Sequence, residues 1–265
     1  MKYSICYAGG LGDVFVSMRM QDSYISLDNL KPEDTCDIHI VSPNPFCHEI
    51  WNWHPKKDQL HVVSYPWREL SKAEQARTFN GIALNDTIPS VAERKKEVFY
   101  ISDQDKVVLD ELGSTPFVAI SASAGGEYRN LPRPILESIC AHLIEKGIKV
   151  VGVGRTFQRY GPNIASKEIG YEFNPGVLSL IDKLSVPGTV KLFNRAAGVV
   201  VCTSSMSIAN WYFSKKPNLT FYPDDYDIAH AGDQYSIGLN YPESIALFNR
   251  EFTLDKVDEL IKKIS

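Results

Sequence analysis

The sequence predicts an α/β protein with two parallel-sheet domains facing a cleft, and three observations carry that prediction. Short apolar runs of strand length alternate with helix-length amphipathic segments along the chain, as right-handed strand–helix–strand crossovers require. Val199-Val200-Val201 is apolar without alternation, as suits a strand covered on both faces. A glycine and a proline bracket Gly113-Ser114-Thr115-Pro116 between a helical segment and a new strand, which sets a linker between a domain at 1–113 and another at 117–265.

The elements follow in order. Tyr3 to Ala8 reads as a strand, Gly9-Gly10-Leu11-Gly12-Asp13 as a turn, and Val14 to Met20 as one face of a helix. Cys36 to Val41, Leu60 to Val63 and Val98 to Ile101 read as further strands, with Phe46 to Trp53 and Ser71 to Phe79 as helices between them. Ser102 caps a short helix with acidic first-turn residues, which stops at Gly113. Then come a strand at Phe117 to Ile120, a helix from Pro132 to Lys146 and a strand at Ile148 to Val153. A helix at Thr189 to Ala196, a strand at Gly198 to Cys202 and a helix at Ser204 to Phe213 follow. Asn218 to Tyr222 reads as a strand, and Leu254 to Ile264 closes the chain as an amphipathic helix.

Composition narrows the function. A chain of 265 residues that is 44% hydrophobic and 23% charged has the makings of a sizeable core. Its net charge of −4 gives no electrostatic case for nucleic acid or an anionic membrane. The five cysteines are widely spaced, lie mostly in apolar runs and include no CxxC pair, as for buried thiols in a reducing compartment. No basic region with an apolar stretch opens the chain, and no run reaches the roughly 18 apolar residues of a membrane span, which predicts a cytoplasmic protein.

Three loops that emerge from the carboxyl ends of strands are the candidate ligand sites. At Gly9 to Asp13 the glycines permit close approach of another molecule, and Asp13 is either a first-turn carboxylate favoured by the helix dipole or a base. The turn does not complete a dinucleotide fingerprint, because the third glycine would fall at Phe15. The small-residue loop Ser121-Ala122-Ser123-Ala124-Gly125-Gly126, followed by Arg129, suits a diphosphate or is a tight turn with a surface arginine. Thr203-Ser204-Ser205 places hydroxyls at a helix start, for phosphate oxygens or for simple capping. The acidic loop Tyr222 to Asp233 lacks the spacing of a calcium loop, and Cys47, His48 and His54 sit among tryptophans that argue for packing over metal binding.

The order of these features resembles the heptosyltransferases of glycosyltransferase family 9. Ala8-Gly9-Gly10-Leu11-Gly12-Asp13-Val14 resembles the family's N-terminal glycine-aspartate turn, and Ser102 to Gly126 its helix, linker and first nucleotide-domain strand and loop. Arg129-Asn130-Leu131-Pro132 resembles its K-x-W-P pattern, with Arg129 at the phosphate-contacting lysine. Leu184 to Pro217 follows its helix, strand, turn and helix, ending in Lys216-Pro217-Asn218. The family's D-[ST]-G-x-x-H turn stands here as Thr203-Ser204-Ser205-Met206-Ser207, without the acid, glycine or histidine, and the 1–113 half is short for the family.

The resemblance implies a GT-B architecture of two Rossmann-like domains about a cleft, the N-terminal one reduced in size. It implies metal-independent transfer, with inversion, from a nucleoside-diphosphate sugar to a hydroxyl on a glycan, a lipid-linked or another acceptor. No cofactor is expected beyond that co-substrate. Asp13 would be the general base, and Gly10, Gly12, Ser121, Ser123, Arg129, Thr203, Ser204 and Ser205 would hold the donor. Two alternatives stand beside it: a nucleotide-sugar-binding protein without catalysis, suggested by the altered 203–207 turn, and a phage-type DNA-modifying glycosyltransferase, which the negative charge disfavours.

Overall fold

The computed structural model describes residues 1–21, 27–42, 45–65, 99–125, 127–158, 167–168, 172–226 and 241–265. The chain divides into two compact units, one of Met1–Ile101 with Arg159–Ala165 and one of Ser102–Gln158 with Ser166–Ser265.

In unit 1, β1 (Lys2–Ala8) leads into helix α1 (Leu11–Gln21), and β2 (Thr35–Val41) and β3 (Leu60–Tyr65) complete a parallel sheet in the order β1-β2-β3. Ile5 and Tyr7 of β1, like Ile38 and Ile40 of β2, are buried at the two-residue period of a strand. Helix α1 buries Leu11, Val14, Phe15 and Met18, the spacing of one helical face. These three strands match their expected positions. The expected helix at Phe46 to Trp53 is instead a 3-10 turn, Pro45–Ile50, followed by turns, and Trp51 packs its ring on Tyr7 at 5.2 Å between centroids.

The strand expected at Val98 to Ile101 is not formed over the described residues 99–101. Phe99 is buried edge-on against Phe15, and the Tyr100 hydroxyl donates to Asp28 at 3.0 Å, so side-chain packing holds this segment in place of a strand ladder. His54 is a core residue, its Nδ1 accepting the Lys56 N–H at 3.1 Å and its ring edge-on to Tyr100. The helix expected at Ser71 to Phe79 lies outside the described residues, as does the part of the acidic loop beyond Tyr226.

Unit 2 begins with α2 (Asp103–Asp110), β4 (Phe117–Ser121), α3 (Arg133–Glu145) and β5 (Lys149–Val153). A two-residue antiparallel ladder, β6 (Phe157–Gln158) with β7 (Lys167–Glu168), precedes β8 (Leu178–Ser179). Then come α4 (Val186–Arg195), β9 (Gly198–Cys202), α5 (Ser205–Ala209), β10 (Asn218–Tyr222), β11 (Ser244–Phe248) and α6 (Leu254–Ile264). The sheet runs β11-β10-β9-β4-β5-β8, and every pairing in it is parallel. Val118, Val200 and Leu219 pack with Leu136 and Ile139 of α3 and with Val257 and Leu260 of α6. The alternate set, Ala119, Val199 and Val201, is equally buried, so the sheet is covered on both faces as its unbroken apolar runs predict.

The segment Gly113–Pro116, expected as the interdomain linker, is a connection within unit 2. Helix α2 ends at Asp110 with Glu111 as its C-cap, and Gly113, two residues on, turns the chain with a positive φ of 69°. The helix before it belongs to the second unit because the buried Asp105 carboxylate accepts from the Ser185 amide at 2.8 Å and from its hydroxyl at 2.7 Å, at the start of α4. The helix expected over Ser204 to Phe213 is helical throughout but changes pitch: α5 passes into a π turn, Asn210–Ser214, that ends at Lys215 with a φ of 52°.

Cys36, Cys47, Cys140 and Cys202 are free and buried. Burial is the main cause that pushes their thiols up, to about 12 at Cys36 and Cys202 and about 11 at Cys47 and Cys140. These four are therefore expected to resist an aromatic disulfide reagent at pH 8 in the native state and to react fully in denaturant. Fast native labelling of any of them, located by mass spectrometry, would contradict the packing.

Candidate functional site

The predicted site residues fall into two groups, one in each unit. In unit 1, Gly9 takes a φ of 98°, a conformation that favours glycine. A Cβ there would also stand 2.5 Å from Asp13 Oδ2. The Gly10 N–H donates to that oxygen at 2.7 Å, so Asp13, at the third helical position, closes half of a capping box on the residue before α1. Gly12 is buried within the first turn. The Gly10 amide is thus engaged by a carboxylate of the chain itself.

Two residues not singled out for this place stand beside Asp13. The Cys47 thiol donates to Ser42 Oγ at 3.4 Å, and its pKa is raised first by burial and further by the Asp13 charge, which places the carboxylate near this pair. Ser42 follows β2 and Asp13 follows β1, and Ala8 and Val41 are register partners at the carboxyl ends of those strands. Nothing in the local spacing of residues 13, 42 and 47 announces that neighbourhood. It arises from parallel pairing.

Unit 2 gathers the other predicted residues. From β4 the chain crosses to β5 on one side, and β9 returns to pair with β4 on the other, with Ser121 opposite Val201. The loops after β4 and β9 therefore flank the point where the strand order reverses, the place where open α/β sheets bind ligands. Ser121 is buried at the end of β4, and Ser123 is half-buried, its hydroxyl 3.4 Å from where a Cβ on Gly154 would lie. The first loop is latched by two bonds: the Ala124 N–H donates to Asn130 Oδ1 at 2.7 Å and the Leu131 N–H to the Ala122 carbonyl at 2.9 Å. Asn130 was legible only as an unassigned residue of the R-N-L-P run, because its role is in the return of the loop.

The latch carries Arg129 toward the second loop. Burial raises the Cys202 thiol, and the Arg129 guanidinium lies close enough to oppose that rise. Thr203 follows immediately. Its amide donates to the Phe221 carbonyl at 2.8 Å, while its Oγ1 is fully buried and has no hydrogen-bond partner among the described residues. Ser204 is the N-cap of α5, its Oγ accepting from the Met206 amide at 3.3 Å, and Ser207 Oγ accepts from the Ser204 amide at 3.1 Å. Both hydroxyls thus serve the helix start, and Ser205 is half-buried at the first helical position. Among the described residues no group of three or more His, Cys, Asp or Glu side chains is arranged to hold a metal, and no helix is long and apolar enough to cross a membrane.

A six-stranded parallel sheet with loops flanking its strand reversal defines unit 2 as an open parallel α/β fold. More particularly, the whole chain has the fold of the heptosyltransferases of glycosyltransferase family 9. It is similar to ADP-heptose LPS heptosyltransferase II of E. coli, with a TM-score of 0.61, 12% identity, and coverage of 100% of this chain and 98% of that one. It is similar also to the E. coli heptosyltransferase WaaC with ADP-2-deoxy-2-fluoro heptose, with a TM-score of 0.54, 12% identity and 100% of both chains covered. A glycosyltransferase family 9 protein from Veillonella parvula DSM 2008 matches with a TM-score of 0.51 and 14% identity, over 98% of this chain and 90% of that one. No family model and no curated protein matches the sequence.

Proposed function

We propose that this protein is a GT-B glycosyltransferase that moves a sugar from a nucleoside-diphosphate sugar to an acceptor hydroxyl with inversion. The observation that carries the reading is the strand reversal at β4 and β9, which brings Arg129 and the buried Thr203 hydroxyl to the loops where a diphosphate would bind. The shared fold with heptosyltransferases, one of them holding ADP, supports it. Unit 2 takes the donor through Ser121, Ser123, Arg129 and the 203–205 turn. Unit 1, a reduced N-terminal half, takes the acceptor.

In the reaction, the Asp13 carboxylate accepts the proton of the acceptor hydroxyl as that oxygen attacks the anomeric carbon. The bond from that carbon to the diphosphate oxygen breaks, and Arg129 with nearby backbone amides takes up the charge developing on the leaving group, so the reading requires no metal. The Gly10 amide already serves Asp13, so the glycines of the first turn act in this reading by giving clearance and by orienting the base.

A second reading, a nucleotide-sugar-binding protein without transfer, is favoured by one observation: Ser204 and Ser207 are used in capping α5 where the family has its acid, glycine and histidine. Both readings are tested by a thermal-shift screen across nucleoside diphosphates and their sugars. A ligand at a hundred times its Kd adds about 2.7 kcal/mol, a rise of roughly 5–10 °C for a domain of this size. Arg129→Ala is expected to weaken that binding roughly 10- to 100-fold, the loss of a charge-assisted contact. No response to any nucleotide would remove both readings.

A further inference from the structure

Tyr128 lies in the 3-10 turn Glu127–Arg129 between β4 and α3, and 65% of its surface is exposed. The other exposed large hydrophobics described in unit 2 are aliphatic and stand elsewhere: Val107 on α2, Leu178 on β8 and Leu254 on α6. Tyr128 is thus an aromatic ring presented to solvent on the loop that leaves β4 toward α3. The Arg129 guanidinium carbon stands 5.7 Å from the centroid of that ring. A tyrosine offers a large, rigid, amphipathic contact surface at small entropic cost, which is why such rings serve recognition.

We infer that Tyr128 is a specificity-determining residue for the donor, its ring stacking on the apolar C–H face of the pyranose to be transferred. The inference rests on the proposed function. Its geometric basis is reach: the diphosphate that Arg129 engages is flanked by the transferred sugar at one end and the ribose at the other, whereas the nucleobase lies beyond the ribose, and comparing each sugar nucleotide with its bare nucleotide separates the two sugars. A ring beside the guanidinium therefore meets a sugar first. The stack would cover the ring and the sugar's C–H groups together, so it contributes to the sugar nucleotide and nothing to the bare nucleotide.

The test compares dissociation constants, by calorimetry on the full chain, for the matched pairs ADP and ADP-heptose, UDP and UDP-glucose, and GDP and GDP-mannose. For the pair that the parent protein binds, Tyr128→Ala is expected to weaken the sugar nucleotide roughly three- to tenfold, the range of an aromatic contact, and to leave the bare nucleotide within about twofold. Tyr128→Phe keeps the ring and is expected to bind like the parent. Equal weakening of both members of the pair, no weakening of either, or a Tyr128→Phe variant as poor as Tyr128→Ala would each overturn the stacking. A parent protein that binds none of the pairs removes the proposed function and this inference with it, an outcome distinct from the other three.

Discussion

Asp13→Asn is expected to lower the rate of sugar transfer roughly 10²- to 10⁴-fold, the usual contribution of a positioned general base. The melting temperature should hardly move. An asparagine keeps a carbonyl oxygen where Asp13 Oδ2 now accepts the Gly10 N–H at 2.7 Å, so the start of α1 retains its hydrogen bond while the side chain loses its capacity to take a proton. Asp13→Ala removes both functions and adds a loss of about 1 kcal/mol for the cap. The pair separates the two meanings of a first-turn carboxylate, as a partner of the helix dipole and as a base. Donor-dependent product formation and thermal melts on both variants give the answer, and an Asp13→Asn protein with parental turnover would leave Asp13 as a cap only.

The turn was legible in sequence because its constraints are local. A glycine that must take a positive φ, a helix start and an acid at the third helical position all lie within five residues. The surroundings of that acid were not, since Ser42 and Cys47 reach it only through the parallel pairing of β1 with β2. Unit 2 repeats the contrast. Strands such as Val199 to Val201 are buried on both faces and announce themselves as apolar runs, whereas β8 is only two exposed residues long, and β11, although Ile245 to Phe248 is apolar, is a mostly half-buried edge strand. The segment 46–53 has helical spacing of apolar residues, but Trp51 finds its place on Tyr7 through a tighter turn. At the candidate donor site, loop composition suggested Ser121 to Arg129 and Thr203 to Ser205 separately. Their nearness follows from β4 and β9 being neighbours, which no local pattern encodes.

Asp105→Ala is expected to destabilise unit 2 by about 3 kcal/mol, because it leaves several partly buried donors without their acceptor. In sequence Asp105 is an ordinary acidic residue of a first helical turn. In the fold its carboxylate accepts from the Ser102 amide at 3.1 Å and hydroxyl at 2.7 Å, and from the Ser185 amide at 2.8 Å and hydroxyl at 2.7 Å. One group thus caps α2 and fastens it to the start of α4. Gly188 makes room for it, since a Cβ at that position would lie 2.3 Å from Asp105 Oδ1. Asp105→Asn should also destabilise, because it turns a donor toward a ring of donors. The neighbouring Asp103→Ala is the control: that carboxylate is exposed and forms an ion pair with exposed Lys106, so its loss should fall within about 0.5 kcal/mol. Denaturant unfolding gives the energies, and hydrogen exchange shows where they act, with amides of α2 and the first turn of α4 expected to exchange faster while those of β4 and β9 stay protected. Equal losses for Asp103→Ala and Asp105→Ala would mean that the staple is not what holds α2 in unit 2, and the assignment of residues 102–116 to that unit would then need another cause.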